Sequence, residues 1–214
     1  MSARRLAAVG AGLATPSSTR MLVDRLVEAT LDQLQDHGIE AGADVFELRD
    51  YAHDVTDNML AGFASPKLES MINAVVSADA VIFATPIFST SYSGLFKSFI
   101  DVLDKEALLD IPVLLAATAG TPRHSLAIDY AMRPLFAYLH ADPVSTAVFA
   151  ASADWGGSGD QVATLAERIR KGATELAAKV ARRDPASVSD PFDPDTYLGK
   201  GHSFGNLLGG LAGE

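Results

Sequence analysis

Short runs of consecutive apolar residues alternate along this chain with longer segments in which apolar residues recur every three or four positions. The short runs predict buried β-strands, and the longer segments predict amphipathic helices. This alternation repeats five times. The strands are predicted at residues 6–9, 45–48, 80–84, 113–117 and 144–150, and the helices at 19–37, 67–77, 93–103, 125–139 and 161–182.

The regular alternation of strands and helices indicates the fold class. Apolar strands separated by helices are typical of a parallel sheet that is covered on both faces. Five such strands match the flavodoxin-like strand order 2-1-3-4-5 better than a six-stranded dinucleotide fold. We therefore predict an α/β fold, a flavodoxin-like doubly wound five-stranded parallel sheet with helices on both faces.

The composition changes after residue 183, where prolines and glycines become frequent. We therefore predict one domain at residues 1–183 and a Pro/Gly-rich C-terminal extension at residues 184–214. The extension keeps apolar residues such as Phe192, Tyr197 and Phe204, which a flexible tail would not need. We expect it to pack on the domain or on a neighbouring subunit, and a disordered tail is the alternative.

Composition and charge exclude several classes of function. The chain has no cysteine, which excludes disulfides, thiolate metal sites and cysteine nucleophiles, so redox chemistry needs a bound cofactor. A net charge of −10 disfavours nucleic-acid binding. No apolar run reaches the roughly 18 residues that a membrane span needs, and glycines interrupt the N-terminal apolar stretch too early for a signal peptide. We expect a cytoplasmic protein that binds neither nucleic acid nor membrane.

The segment between the first strand and the first helix carries a candidate phosphate site. Ser17, Ser18 and Thr19 stand where the helix begins, and the free N–H groups and positive dipole of a helix start attract anions. A role as N-cap explains one of these hydroxyls well but three less well. A dinucleotide fingerprint is rejected, because the acidic residues that end the second strand lie too far beyond Gly12.

Two further loops follow the third and fourth predicted strands. The loop at 85–93 offers backbone groups, short hydroxyls and aromatic carbon but no charge, and the loop at 117–124 is rich in small residues, including Gly120. Because the carboxyl ends of parallel strands meet at one edge of the sheet, the three loops are expected to form one crevice. One phosphate-binding turn and two polar turns outline a site for FMN and not for a metal ion.

Two motifs at these loops resemble a known family. Residues 85–88 read Thr-Pro-Ile-Phe and residues 91–97 read Ser-Tyr-Ser-Gly-Leu-Phe-Lys, while the second motif spans 120–135 and begins Gly-Thr-Pro-Arg-His. Over about residues 5–180 the chain resembles the NAD(P)H-dependent FMN reductases and, more narrowly, the reductase components of two-component flavin monooxygenases. The resemblance implies hydride transfer from NADPH or NADH to FMN, and release of reduced FMN to a partner flavin-dependent monooxygenase.

The resemblance also assigns residues to the FMN site. They are Ser17, Ser18 and Thr19 at the phosphate, Pro86, Ile87, Phe88 and Ser91 along the isoalloxazine and ribityl groups, and Thr118, Gly120 and Thr121 at the pyrimidine side of the ring. No catalytic acid or base is assigned, because the flavin carries the chemistry. Phe88 stands where the family often has Tyr, so one hydroxyl contact is expected to be absent. Many members of the family have an arginine in the phosphate loop, whereas here the nearest is Arg20 at the helix start, so the phosphate is expected to be held weakly.

Tyr130 lies in the predicted helix at 125–139. In similar reductases a Tyr at this point belongs to a π-bulge at a subunit interface, and the alternative is an ordinary core aromatic. The resemblance therefore implies a homodimer or homotetramer. Two other functions stay open, an NAD(P)H quinone or azo reductase that keeps its FMN bound and a flavodoxin-type electron carrier with no nicotinamide activity.

Overall fold

The computed structural model describes residues 3–156 and 164–183, in which a β-sheet lies between two layers of helices. The strands are β1 Arg4–Gly10, β2 Ala41–Glu47, β3 Ala80–Phe88, β4 Ser91–Tyr92, β5 Pro112–Ala119, β6 Asp142–Pro143 and β7 Val148–Ala151. The helices are α1 Ser18–Asp36, α2 Ala52–Ala61, α3 Pro66–Val76, α4 Gly94–Asp101, α5 Arg133–Tyr138 and α6 Leu165–Arg182. Three 3-10 turns occupy Leu48–Tyr51, Pro122–His124 and Ser152–Gly156, and a π-helical turn occupies Ile128–Met132.

The strand order places a switch point in the middle of the sheet. The order is β2-β1-β3-β5-β6, and β7 pairs with β5 on the same side as β6. All of these pairs are parallel. Between β1 and β3 the chain changes the direction in which it adds strands, and open α/β sheets bind their ligands outside the strand ends at such a point. The predicted α/β class, with a parallel sheet covered on both faces, is confirmed.

The predicted count of five strands is wrong, since the described sheet has seven. Of the strand predicted at 144–150 only the end forms a strand, as part of β7, which pairs with the end of β5, while the separate strand β6 precedes the predicted range and pairs with the start of β5. Between β6 and β7, Arg133 donates hydrogen bonds to the carbonyl oxygens of Val144 and Ser145, and the N–H of Val144 still donates to the carbonyl of Val113 in β5. The other added strand, β4, pairs antiparallel with β3 after a turn in which Ser89 and Thr90 have positive φ.

Two apolar layers fix the sheet. On one face α1 and α6 pack on the strands, with Leu22, Leu26 and Leu176 fully buried. On the other face the rings of Phe83 in β3 and Phe136 in α5 lie 4.9 Å apart between centroids. Since burying one large apolar side chain contributes about 1.5–3 kcal/mol, these layers hold the strand ends, and the loops attached to them, in fixed relative positions.

The helices differ from the sequence prediction in two places. The pattern does not predict α2, because Val55 is its one buried residue and a single residue makes no apolar stripe. The predicted helix at 125–139 is interrupted by the π-turn, in which the N–H of Arg133 bonds to the carbonyl of Ile128. Pro134 has no N–H to donate to the carbonyl of Tyr130, four residues earlier, and α-helical bonding resumes only with α5, in whose first turn this proline stands.

Part of the sequence prediction falls beyond the described ranges. Residues 161–163 of the last predicted helix lie outside them, and α6 begins at Leu165. The extension predicted at 184–214 also lies outside, so the division into two regions stays a prediction. In the part of the chain that the structure describes, every helix is too short or too polar to cross a membrane.

Candidate functional site

A cleft of about 300 Å³ opens at the carboxyl ends of β1, β3 and β5, at the switch point of the sheet. It is lined by eight of the ten residues that the sequence analysis assigned, which are Ser17, Ser18, Thr19, Pro86, Ile87, Phe88, Thr118 and Gly120. The other two are not in the lining. Ser91 pairs with Phe88 in the β3–β4 hairpin, and Thr121 caps the 3-10 turn Pro122–His124. The cleft brings the three predicted loops together, and the binding roles of the ten residues stay predictions.

The first wall of the cleft is the turn between β1 and α1. Ser17 is the N-cap of α1, and its Oγ accepts a hydrogen bond of 3.1 Å from the N–H of Arg20. Gly12 is buried against this cap, where a Cβ would lie 2.1 Å from Ser17 Oγ. Ser18 is exposed within the lining. A tight turn that leads into the free N–H groups of a helix start is suited to an anion.

Two hydrogen bonds tie the walls of the cleft to each other. Thr19 Oγ1 and Thr118 Oγ1 lie 2.8 Å apart, and both residues are buried. The N–H of Ala11 donates to the carbonyl of Ala84 at 2.8 Å. The first bond fixes the start of α1 to the end of β5, and the second fixes the start of the β1–α1 turn to β3. The three strand ends therefore form one rigid edge.

The second wall is the end of β3, which runs four residues beyond its predicted end at 84. The pairing of β1 with β3 stops at Ala84, and beyond it β3 pairs in parallel with β5 alone. The missing N–H of Pro86 therefore disrupts no second ladder. The strand then carries Ile87 and Phe88 along the cleft, and Phe88 is 48% exposed. This wall presents apolar surface and backbone to a ligand.

Both arginines beside the phosphate turn are paired with carboxylates. Arg20 lies 2.7 Å from Asp24 and 3.2 Å from Glu47, and its hydrogen bond to Asp24 is the largest of the causes that raise the pKa of Arg20. Arg49 lies 2.8 Å from Glu47 and donates to the carbonyl of Ala14 at 3.3 Å. Among the described residues, no charged side chain lines the cleft.

A further part of the lining carries none of the ten residues that the sequence analysis assigned to the site. The 3-10 turn that follows β7 contributes Ser152 and Trp155 to the lining. The signal that could have found it is positional, because the fifth predicted strand ends at the same edge of the sheet as the third and fourth. The segment Asp154-Trp155-Gly156 follows that strand and carries the one tryptophan of the chain.

The π-turn predicted around Tyr130 is confirmed. The side chain of Tyr130 is 79% exposed, so the alternative reading as a core aromatic is wrong. Leu126 and Tyr138 are exposed in the same region of the chain. The described residues contain no group of three or more His, Asp or Glu side chains that could hold a metal ion.

The fold is shared with oxidoreductases of known structure. An oxidoreductase from Corynebacterium diphtheriae is 41% identical, and its crystal structure matches with a TM-score of 0.81 over 85% of this chain and 99% of that chain. The apo form of the NADH:FMN oxidoreductase EmoB matches with a TM-score of 0.74 over 92% of this chain and 99% of that chain. At 23% identity the second likeness shows the fold alone.

The family is shown by sequence. Residues 5–156 match the model of the NADPH-dependent FMN reductases, and the chain belongs to this family. The FMN reductase (NADPH) of Pseudomonas aeruginosa is 35% identical over 81% of this chain and 90% of its own length. The NADH-dependent FMN reductase SfnE of Pseudomonas putida is 34% identical over 76% and 85%. The resemblance stated from the motifs is confirmed, and the protein is an NAD(P)H-dependent FMN reductase, an oxidoreductase that uses FMN with NADPH or NADH.

Proposed function

We propose that this protein binds FMN as a dissociable substrate and supplies the reduced flavin to a partner flavin-dependent monooxygenase. The observation that carries the proposal is the uncharged lining of the cleft. Arg20 and Arg49, the arginines beside the phosphate turn, are held by carboxylates. The FMN phosphate would therefore rest on neutral N–H and hydroxyl donors. Since charge-assisted hydrogen bonds are roughly twice as strong as neutral ones, this donor set favours release.

The cleft residues fit FMN. Because Gly12 has no Cβ, the hydroxyl of Ser17 packs directly against the turn, and Ser17, Ser18 and Thr19 would hold the phosphate there. Pro86, Ile87 and Phe88 would lie along the ring, with Thr118 and Gly120 on the opposite wall. When bound, FMN supplies the acceptor for the hydride of the nicotinamide. The residues of the chain bind and orient the flavin, and the partly exposed Phe88 leaves the mouth of the cleft accessible.

The relatives support a role for FMN as the substrate. They are named for the reduction of FMN itself, as with SfnF of Pseudomonas fluorescens, an NADH-dependent FMN reductase that is 34% identical. Free reduced flavin reacts with dioxygen, so a reductase that releases it needs a second enzyme that uses the reduced flavin. The class of enzyme that uses this reaction is the flavin-dependent monooxygenase, which is the partner that we propose.

We further propose a homodimer or homotetramer in the cytoplasm. The exposed Tyr130 and Leu126 at the π-turn support contact between copies, because large apolar side chains grouped on a surface often mark an interface. Sedimentation velocity on the full chain measures the assembly state. Substitution of Tyr130 by Ser is expected to lower the assembly order, and an unchanged sedimentation coefficient would show that this surface is not the interface.

The test of the proposed function uses protein from which all flavin has been removed. Quenching of flavin fluorescence gives the Kd for FMN, and stopped-flow absorbance gives NADPH and NADH oxidation as a function of free FMN. We expect turnover that saturates with FMN and a Kd no tighter than micromolar, about −8 kcal/mol of binding free energy. Reduced FMN formed by this protein should also support a monooxygenase held behind a dialysis membrane.

Other outcomes point to the alternative functions. Retention of FMN through gel filtration, with turnover only when a quinone or an azo dye is added, would make the protein a reductase with a resident flavin. No oxidation of either nicotinamide would leave a flavodoxin-type electron carrier. Either result would refute the proposal that FMN is the substrate.

A further inference from the structure

The turn after β7 places the one tryptophan of the chain at the edge of the cleft. Trp155 lines the cleft and also packs against the apolar layer beneath α1 and α6. The side chain is partly buried, so part of the indole remains accessible. A ring that is anchored on one side and accessible on another can contact a ligand without first being ordered by it.

Arg25 holds the indole from the side of α1. The guanidinium carbon of Arg25 lies 4.9 Å from the centroid of the Trp155 ring, within the range of a cation–π contact. Arg25 stands about two helical turns beyond Ser18 on the same helix. The helix whose start forms the phosphate turn therefore also fixes the position of Trp155.

Asp154 fixes the backbone that carries the tryptophan. One carboxylate oxygen accepts the N–H of Ala151 at 2.7 Å, and the other lies 2.8 Å from the guanidinium of Arg168. The side chain of Asp154 is only 5% exposed. Charge-assisted bonds of this kind are short and directional, so the turn Ser152–Gly156 presents the indole in one arrangement.

We propose that Trp155 is an FMN-contacting residue and that Arg25 is its positioning residue. The inference rests on the proposed function in that FMN is taken as the ligand of the cleft. Because the described lining carries no charge, affinity for FMN has to come from neutral hydrogen bonds and from packing. The indole is the largest flat surface in that lining, and a flavin is a flat heteroaromatic ring system, so contact between them supplies affinity in a site without ion pairs.

The first test compares the FMN Kd of four variants with that of the wild-type protein. Trp155→Ala is expected to raise the Kd about tenfold, as for loss of one aromatic contact to a heteroaromatic base, and Trp155→Phe about threefold. Arg25→Ala is expected to raise it about threefold. Lys67→Ala is the matched control, because Lys67 makes a second cation–π contact among the described residues, with Tyr51, and neither residue lines the cleft. The Kd of this variant should equal that of the wild type.

A second test detects the contact without any substitution. The chain has one tryptophan, so protein made with 5-fluorotryptophan gives one fluorine NMR signal from Trp155. We expect this signal to move on saturation with FMN and to stay in place when inorganic phosphate is added instead. A purely structural tryptophan would lower the melting temperature of Trp155→Ala without changing the Kd of the folded protein.

The outcomes separate this inference from the proposed function. An unchanged Kd in Trp155→Ala and Trp155→Phe, with an unmoved fluorine signal, would overturn the inference while wild-type turnover with free FMN still supported the reductase. A wild-type protein that retains FMN would refute the proposal of a dissociable substrate, and a shifted fluorine signal would still place Trp155 at the flavin. If Trp155→Ala does not fold, Trp155→Phe and the fluorine signal decide.

Discussion

Substitution of Gly12 by Ala tests how the phosphate turn is built. An added Cβ would lie 2.1 Å from Ser17 Oγ and 3.2 Å from the Cβ atoms of Ser17 and Thr19. No real Cβ lies 2.1 Å from an oxygen, so the hydroxyl of Ser17 has to rotate away. Ser17 Oγ is the acceptor that caps α1 through the N–H of Arg20. The substitution is therefore expected to remove the cap as well as to displace the turn.

The magnitude follows from these contacts. Loss of a serine N-cap costs about 1 kcal/mol, with a range of about 0.5–2 kcal/mol. The two contacts at 3.2 Å require further shifts of the turn, so we expect Gly12→Ala to lower the free energy of unfolding by about 2 kcal/mol in total. Because the displaced atoms are those that would hold the phosphate, the Kd for FMN should rise about tenfold or more.

The assay combines urea unfolding of flavin-free protein with FMN titration of the folded variant. Gly42→Ala is the matched control, because the same Cβ added at Gly42 in β2 meets nothing within 4 Å. That variant should be as stable as the wild type or slightly more stable, since alanine reduces the entropy of the unfolded chain. Its Kd for FMN should not change.

A double-mutant cycle with Ser17→Gly tests whether the contact with Ser17 causes the loss of stability in Gly12→Ala. Removing the Ser17 side chain costs the cap but also removes the obstacle to a Cβ at position 12, so Gly12→Ala should cost less in that background than in the wild type. Equal costs in both backgrounds, or wild-type stability and Kd in Gly12→Ala alone, would show that the turn does not depend on the contact between these two residues.

Three other predictions concern the β5 end, the β3–β4 turn and α6. Thr118→Val leaves the buried hydroxyl of Thr19 without its partner and should lower the free energy of unfolding by about 1–2 kcal/mol in urea titrations. A substitution at position 118 that lacks a hydroxyl should not restore the wild-type free energy of unfolding. Thr90→Gly relieves a β-branched residue at φ 71° and should add about 1 kcal/mol, seen as a raised melting temperature, whereas a fall would contradict it. The pKa of Glu167 is lowered, chiefly by the backbone hydrogen bond of Thr164. Its contribution is present above the ordinary carboxyl pKa and lost as the pH falls through the lowered one, so the urea midpoints of wild type and Glu167→Gln should converge in acid.

The fold could be predicted because its signals are local. Residues 80–84 are apolar and all buried, so the central strand is visible as an unbroken run. The spacing of apolar residues predicts a helix at 19–37, and α1 spans Ser18–Asp36. In both cases the residues that form the element also carry the pattern, so no information from elsewhere in the chain is needed.

The misplaced elements depend on contacts that the sequence does not display. Pro86 looks like the end of a strand, yet β3 continues because its neighbour on one side has already stopped pairing at Ala84. The helix predicted around Tyr130 contains a π-turn that ends just before Pro134, whose missing N–H leaves the carbonyl of Tyr130 without an α-helical donor. In α2 only Val55 is buried, so no apolar spacing could reveal the helix.

The site follows the same division between local and distant causes. Ser17, Ser18 and Thr19 could be assigned because a helix start has a sequence signature of its own. The bond between Thr19 and Thr118 joins residues 99 positions apart. Trp155 enters the cleft only because β7 ends at the same edge as β3 and β5. Pairings of this kind are set by the arrangement of the strands, which local periodicity predicts only in outline.

Helix α1 connects most of these distant contacts. Its N-cap Ser17 shapes the phosphate turn, Thr19 bonds to the end of β5, and Arg25 stacks on Trp155. A small displacement of this one helix would alter three walls of the cleft together, so binding contributions at those walls should not be independent. Double variants that combine Gly12→Ala with a change at Thr118 should therefore cost less than the sum of the single variants in FMN affinity, because the first change already releases the start of the helix. The same coupling would let FMN leave by loosening of one element, which is consistent with the proposed release of reduced flavin.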